Sequence, residues 1–253
     1  MTVTGERVTT PEGGFNPTWQ RHVAAYRAAA GLLPPESPVL DLGCGVGHSF
    51  ALLAPRETVG VDLDAAALTG QDRRTVVADM RALPFGDGEF ASVLSVQSLE
   101  HVPDPEAVLR EAARVLRPGG MAIFVTPNRL TFARADEIID PYHFREYAPG
   151  ELREVCAPHF AHVEMRGLFG SARYLELVDE QKAKLDRLLS LDPLRARRFV
   201  PLGVRQRLYD RMLTRERRNA DPRAATITPD DFELRSTGLE SALDVVAICR
   251  GQV

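Results

Sequence analysis

Between residues 39 and 126, short apolar segments alternate with stretches of helical character, and this alternation restricts the chain to few folds. The apolar segments are nearly continuous in hydrophobic residues, as in strands that are covered on both faces. They lie at 39–42, 58–61, 75–78, 91–96 and 121–126. Because strands that alternate with helices are joined by right-handed crossovers, we predict an α/β fold with a Rossmann-like, doubly wound, mostly parallel sheet.

Helix signals support this interpretation at two places. Segment 104–118 begins with Asp104, a favourable N-cap, and Pro105, and it precedes two glycines that can end a helix. Segment 17–31 begins with a proline and ends with a glycine. Two more strands are expected at 163–168 and 244–249, separated by a long insertion with helical segments at 172–191 and 204–218.

Composition excludes several other classes of protein. The chain has 253 residues, of which 44% are hydrophobic and 26% are charged, as in ordinary globular proteins. A net charge of −4 gives no global basic field for nucleic acid. Three widely spaced cysteines, Cys44, Cys156 and Cys249, exclude a zinc ribbon or a disulfide scaffold. Without a signal peptide or an apolar run of about 20 residues, we expect a cytoplasmic protein with no membrane span.

The strongest functional signal is a glycine loop after the first strand, Asp41-Leu-Gly43-Cys-Gly45-Val-Gly47. Its spacing is GxGxG and not the GxGxxG of dinucleotide sites, and Asp41 would repel a pyrophosphate but attract an ammonium group. Asp62 ends the second strand, where an acid can bind both hydroxyls of a ribose. Asp79 ends the third strand, where it can accept from an adenine amine while Met80 packs on the ring. These side chains converge on the ligand crevice of the sheet.

The successive motifs VLDLGCGVGHSF, VGVDLD, ALPFGDGEFASVL and RVLRPGG resemble those of class I S-adenosylmethionine (SAM) methyltransferases. They are most similar to the branch that includes quinone and small-molecule O- and C-methyltransferases. The resemblance implies SAM as cofactor and a seven-stranded sheet whose last strand is antiparallel. It also implies a set of cofactor-binding residues: Asp41, Gly43 and Gly45 for the methionine part, Asp62 for the ribose, Asp79 and Met80 for the adenine, and Gln97 for the sulfonium side, with Cys44 as a loop contact and Leu63 as a further cofactor contact.

Methyl transfer to an alcohol gains most from a general base, and two histidines are candidates. His143 lies in segment 136–147, after the fifth strand, where the acceptor faces the cofactor in this family. His101 lies after the fourth strand, beside Glu100. We predict that His143 is the base, although it could instead be a loop histidine paired with Glu146. His101 could be an acceptor-binding residue or a structural histidine near the cofactor.

Segment 126–160, and within it Pro141-Tyr-His-Phe-Arg-Glu-Tyr147, is similar, more narrowly, to actinobacterial methyltransferases that modify sugars and polysaccharides, including the methylmannose polysaccharide 1-O-methyltransferase type. The resemblance implies O-methylation in polysaccharide biosynthesis, with a sugar or oligosaccharide hydroxyl as acceptor. Tyr142, Arg145 and Tyr147 would bind that acceptor, since aromatic and charged side chains suit the apolar face and the hydroxyls of a sugar; alternatively these aromatics belong to the core. The resemblance also allows Mg²⁺ as an additional cofactor, but the sequence shows no convincing set of residues to bind it.

We predict three parts of the chain. Residues 1–37 form an arm and a helix that covers the cofactor site, 38–171 and 240–253 form the SAM-binding core, and 172–239 form a helical, arginine-rich cap. No nucleic-acid partner is expected, and a homodimer is compatible with the sequence. Other functions stay open: a quinone, polyketide or lipid acceptor, and an RNA-binding methyltransferase-like protein that uses the arginine-rich segment.

Overall fold

The computed structural model describes residues 16–36, 38–47, 50–132, 138–190, 192, 196–218 and 221–253. Residues 1–15 of the predicted arm therefore lie outside the described residues. The described residues form one eight-stranded sheet with apolar clusters on both faces, which confirms the predicted fold class. None of the helices in these ranges is long and apolar enough to cross a membrane.

The strands are β1 (Val39–Leu42), β2 (Thr58–Asp62), β3 (Thr75–Val77), β4 (Phe90–Val96), β5 (Leu116–Pro127), β6 (Phe160–Gly170), β7 (Phe232–Arg235) and β8 (Asp244–Gln252). The α-helices are α1 (Asn16–Leu32), α2 (Phe50–Leu53), α3 (Pro105–Val115), α4 (Pro149–Cys156), α5 (Ala172–Leu189) and α6 (Leu202–Arg218). Short 3₁₀ turns lie at Leu99–His101, Ala196–Phe199, Pro222–Thr226, Pro229–Asp231 and Leu239–Ser241.

The strands follow the order β3-β2-β1-β4-β5-β8-β6-β7. Strands β1 to β5 pair in parallel, whereas β8 lies antiparallel between β5 and β6. All seven expected strands are present. The eighth, β7, lies within the segment expected to be an insertion and pairs antiparallel with β6 at the edge of the sheet.

Helix α3 begins as expected, because the Asp104 carboxylate accepts a hydrogen bond from the Ala107 amide at 3.2 Å. The sequence predicted that this helix ends at residue 118, but in the structure it ends at Val115. Leu116 already belongs to β5, and the two glycines that seemed to end the helix lie within this strand. A Cβ at Gly120 would lie 2.9 Å from the carbonyl oxygen of Ala91, so close strand packing explains a glycine at this position.

Helices cover both faces of the central strands, which explains why the strand segments are apolar throughout. Ala25 of α1 packs on one face, in a cluster with Leu94 of β4. On the other face, Leu109 of α3 and Leu152 of α4 pack in a cluster with Val93. Since parallel strands end at a common edge, the loops after β1, β2, β3 and β4 meet there.

Candidate functional site

The loop after β1 turns sharply at three glycines. Gly43, Gly45 and Gly47 have φ angles of +70°, +53° and +72°, which glycine adopts without steric cost. The Gly43 amide donates to the carbonyl of Val61 at 2.8 Å and ties the loop to β2. A Cβ at Gly43 would lie 2.5 Å from the Cβ of Ser98, so the loop also passes directly against the residues after β4.

Asp62 contacts this loop from the end of β2. Its Oδ2 accepts a hydrogen bond from the Gly45 amide at 2.9 Å, and its Oδ1 accepts one from the Asp64 amide at 2.9 Å. The two bonds fix the carboxylate at the edge of the sheet. The structure therefore brings together the glycine loop and the acid predicted to bind a ribose.

Asp41, which precedes the loop, is fully buried. The Tyr26 hydroxyl on α1 lies 3.1 Å and 3.3 Å from its two carboxylate oxygens. Helix α1 therefore reaches the base of the loop with a hydrogen-bond donor. This position agrees with the predicted covering helix, but the pairing with Asp41 has no signature in the sequence.

Replacing Tyr26 by phenylalanine removes a hydrogen bond to a buried carboxylate. A hydrogen bond to a charged group contributes about 1.5–3 kcal/mol, so we expect Tyr26→Phe to lower the free energy of unfolding by about that amount. Denaturant unfolding with and without SAM measures the change. Tyr209→Phe is the matched control because the Tyr209 hydroxyl also bonds a carboxylate, at 2.8 Å, but in a less buried place. Equal stability of Tyr26→Phe and the parent protein would show that Asp41 does not depend on this donor.

The residues predicted to lie beside the adenine are at the same edge of the sheet. Met80 lies against Gly43, and the neighbouring Leu63 is an apolar side chain with 72% of its surface exposed. Asp79 forms an ion pair with Arg81 at 2.6 Å, and this hydrogen-bonded guanidinium holds the pKa of Asp79 below its usual range. The edge therefore offers an uncovered apolar surface flanked by an ionised carboxylate.

Cys44 differs from its neighbours in the loop because its side chain points into the protein. It packs in a buried cluster with Phe50 and Leu68, and burial raises the pKa of the thiol. A neutral, buried thiol is neither a nucleophile nor a surface ligand. Only the backbone atoms of Cys44, and not its side chain, can therefore make the predicted contact with the cofactor.

Gln97, after β4, is the one described residue other than glycine with a positive φ angle, +49°. Its Nε2 donates to Oδ1 of Asp244 at 3.2 Å. Arg21 of α1 donates to both oxygens of the same buried carboxylate, at 2.8 Å and 2.5 Å. Burial alone would lower the pKa of the Arg21 guanidinium. The charge of Asp244 and its hydrogen bonds to Arg21 outweigh this effect and raise the pKa of Arg21 above its ordinary value. Helix α1 and strand β8 therefore both fix the residue predicted to lie near the sulfonium.

Acidic and histidine side chains form a compact group in the segments that follow β4 and β5. The rings of His101 and His143 lie 4.9 Å apart between centroids. His143 Nδ1 lies 2.9 Å from Glu146 Oε1, and its Nε2 lies 3.9 Å from Asp140 Oδ2. The Phe144 amide donates to the carbonyl of Glu100 at 2.8 Å, which holds the two loops together. Both candidate bases are therefore in one place, and the expected alternative pairing of His143 with Glu146 is present.

Burial and charge act in opposite directions on this group. Burial raises the pKa of Glu100, whose Oε2 has no hydrogen-bond partner among the described residues. Burial also disfavours a charged His143, but the hydrogen bond with Glu146 and the charges of Glu100 and Asp140 outweigh it and raise the pKa of His143. A positive charge is therefore stabilised at His143 when it holds a proton.

Two reciprocal hydrogen bonds join the loop after β5 to helix α6. The Tyr142 hydroxyl donates to Asp210 at 2.9 Å, and the Tyr209 hydroxyl donates to Asp140 at 2.8 Å. Residues 136 and 137 of the predicted acceptor segment lie outside the described residues. The contacts place part of the predicted cap directly against this segment, an arrangement that sequence spacing does not reveal.

Of two further residues predicted to bind the acceptor, Tyr147 is buried and Arg145 is exposed. The Tyr147 side chain is fully buried in the core, and the Arg145 guanidinium stacks on its ring at 5.1 Å from the centroid. In contrast, Phe144 has 61% of its surface exposed. Packing therefore accounts for the Tyr147 ring, and acceptor binding by Tyr147 and Arg145 stays a prediction.

The ligand atoms of Glu100, His101 and His143 lie within 4.8 Å of one another. Mg²⁺ prefers an octahedron of oxygen ligands, whereas this group offers one carboxylate and two imidazoles. His143 Nδ1 is moreover paired with Glu146, and His101 Nδ1 lies 3.1 Å from the carbonyl of Tyr142. This donor set does not fit the Mg²⁺ that the sequence admitted.

Comparison with known proteins identifies the part of the chain that carries the glycine loop and Asp62. Residues 40–124 match a family model described as a methyltransferase domain. A probable SAM-dependent methyltransferase of Mycobacterium tuberculosis is 34% identical over 187 residues, which cover 70% of this chain and 68% of the relative. A probable SAM-dependent methyltransferase of Mycolicibacterium smegmatis is 30% identical over 260 residues, which cover 98% of this chain and 94% of the relative.

A solved structure has a similar fold. It is a SAM-dependent methyltransferase of Thermotoga maritima, described as a possible histamine N-methyltransferase, with a TM-score of 0.61 and 16% identity. The match covers 93% of this chain and 92% of the other. At this identity the similarity shows the fold alone.

Proposed function

The chain belongs to the SAM-dependent methyltransferases, and we propose that within this family it transfers the methyl group to a hydroxyl of a sugar or oligosaccharide. The observation that supports this acceptor is the group of buried acids and imidazoles after β4 and β5. Asp140 and Glu146 are both nearly buried beside His143. Glu146 Oε2 and the nearby Glu100 Oε2 are buried without a hydrogen-bond partner among the described residues, so acceptor hydroxyls could donate to them, whereas an apolar acceptor would leave them unpaired.

For the cofactor, we propose that the loop after β1 holds the methionine part of SAM and that Asp62 binds the ribose hydroxyls. Gly45 has open space where a Cβ would lie, Asp41 lies at the base of the loop, and the exposed Leu63 offers an apolar surface. Asp79 and Met80 would frame the adenine. When bound, SAM supplies an activated methyl group on its sulfonium.

His143 is the proposed general base. Its neutral imidazole would take the hydroxyl proton as the oxygen attacks the methyl carbon. Glu146 would orient the ring through Nδ1, and the carboxylates nearby would stabilise the imidazolium that forms. His101, whose ring packs edge-on against His143, would position the base and the acceptor.

Residues 172–239 are the proposed acceptor cap. The support is the pair of tyrosine–aspartate hydrogen bonds that join α6 to the acceptor segment. Tyr142 takes part in one of these bonds and would line the acceptor site from the core side. The cap would therefore select the acceptor without contacting the cofactor loop.

A hydroxyl on a quinone-type ring is the second candidate acceptor. A tocopherol O-methyltransferase of Arabidopsis thaliana is 35% identical over 118 residues, but the match covers only 41% of this chain and 34% of the relative. The exposed ring of Phe144 is the feature of this site that favours such an acceptor. The unpartnered carboxylate oxygens of Glu100 and Glu146 favour an acceptor with several hydroxyls, so the sugar remains the first proposal.

Methyl transfer from labelled SAM to three groups of acceptors tests the proposal: manno-oligosaccharides, quinols and RNA. We expect label in the oligosaccharides, with the methyl group on oxygen by mass spectrometry. The reaction with His143→Ala serves as the blank for each acceptor. Transfer to quinols alone would replace the first proposal with the second, and transfer to RNA alone would refute both.

The pairing of His143 with Glu146 predicts a shifted pH profile. The base must be unprotonated, and its pKa is raised, so kcat/KM should increase with pH on the alkaline side of the ordinary histidine value of 6.5. Glu146→Gln removes the charged partner and should move this increase to lower pH. Glu106→Gln, at the separate His159–Glu106 pair, should leave the profile unchanged. An identical profile for Glu146→Gln and the parent enzyme would exclude this pair from proton transfer.

A further inference from the structure

The side of α6 that faces away from the acceptor segment carries apolar and basic residues together. Val204, Arg207, Leu208 and Arg211 are all exposed and follow the i, i+3, i+4, i+7 spacing of one helical face. Val204 is 44% exposed and Leu208 is 57% exposed. These four residues, with Phe199 just before the helix, are called the outer face of the cap.

Two more apolar side chains are exposed near the start of α6: Phe199, in the preceding 3₁₀ turn, has 89% of its surface exposed, and Leu202 has 49%. Leu202 is seven residues before Tyr209 and therefore lies on the other side of the helix. Single exposed apolar residues are common, but Phe199, Val204 and Leu208 beside arginines mark an interaction site. The opposite side of the helix carries Tyr209 and Asp210, which are bonded to the acceptor segment. The outer face is therefore available while the cap is in place.

The charge of this region indicates what could cover it. From Arg187 to Arg218 the sequence has ten arginines and three acids, although the whole chain has a net charge of −4. A second copy of the chain would bring the same positive charge against this face in a two-fold dimer. Nucleic acid would attract the arginines but would gain nothing from Val204, Leu208 and Phe199. An anionic lipid surface satisfies both parts, since it accepts apolar side chains below a layer of negative headgroups.

We propose that the outer face of the cap binds anionic membrane surfaces. Phe199, Val204 and Leu208 enter the boundary between headgroups and acyl chains, while Arg207 and Arg211 lie among the headgroups. The binding is peripheral, and it holds α6 between the lipid and the acceptor segment. It does not depend on which hydroxyl is methylated.

Sedimentation of the full chain with vesicles tests this proposal. We expect binding to vesicles of phosphatidylcholine mixed with phosphatidylglycerol, little binding to pure phosphatidylcholine, and weaker binding as salt increases. Arg207→Gln with Arg211→Gln should reduce the partition coefficient roughly tenfold or more, as two basic residues near an anionic surface contribute about one order of magnitude or more. Phe199→Ser should reduce it as well.

The matched control is Arg110→Gln with Arg153→Gln, which removes the same charge from exposed arginines on α3 and α4. It should bind vesicles like the parent protein. All variants should retain SAM affinity, which shows that they are folded. Equal binding to both kinds of vesicle, equal losses in the control, or no binding at all would overturn the proposal. So would a defect of the cap variants only in binding RNA or only in self-association, measured by ultracentrifugation.

Discussion

His143→Ala should lower the rate of methyl transfer by about 10²- to 10⁴-fold, the usual contribution of a general base. SAM affinity should persist, because the cofactor loop and Asp62 lie on other strands. The pH dependence of the remaining rate should flatten, since the group that must lose its proton is gone. Single-turnover rates with labelled SAM measure the loss, and calorimetry measures SAM binding.

His159→Ala is the matched control for this substitution. His159 also pairs with a glutamate, with His159 Nε2 2.7 Å from Glu106 Oε2, but these residues lie just before β6 and at the start of α3, not in the loops that carry His101 and His143. Its rate and pH profile should equal those of the parent enzyme. If His143→Ala keeps near-normal turnover and an unchanged profile, the base is elsewhere, and Glu100 with His101 becomes the next candidate.

Asp62→Ala should weaken SAM binding by roughly 30- to 1000-fold, because two charge-assisted hydrogen bonds to the ribose are worth roughly 2–4 kcal/mol. The substitution also releases the Gly45 amide, so the glycine loop loses a contact that fixes its conformation. Titration calorimetry measures the affinity.

Asp64→Ala removes a neighbouring acid that accepts a hydrogen bond from the exposed Ala66 amide. SAM affinity in this variant should stay within a few-fold of the parent value. Unchanged SAM affinity of Asp62→Ala, with the protein folded, would refute the ribose assignment.

Local patterns predicted most of the fold. Buried strands such as β1 and β4 are continuous in apolar residues, and Asp104 with Pro105 marks the start of α3. Strand β7 was missed, because four residues with alternating exposure, two of them charged, give no such signal. The end of α3 was placed too late, since glycines within a strand look like a helix stop when strand packing is not known.

The candidate site was predictable only where its residues follow strands. In this way Asp62 and Gln97 were predicted to lie at one edge of the sheet, because every parallel strand ends there, and the structure places them at this edge. Their contacts with SAM stay predictions. The Arg21–Asp244 pair joins residues from opposite ends of the sequence, and no local pattern indicates such a contact. Tyr147 and Phe144 have similar character in the sequence, yet one is fully buried and the other exposed. Only tertiary packing separates them.

The position of β8 has a consequence for synthesis on the ribosome. This strand lies between β5 and β6 but is translated after the whole cap, so β5 and β6 both wait with unpaired amide and carbonyl groups along one edge. At about 5–20 residues per second, this interval lasts several seconds. Open strand edges attract other strands, which makes the nascent chain prone to aggregation during that time. Chaperone demand should therefore be greatest just before the last strand emerges.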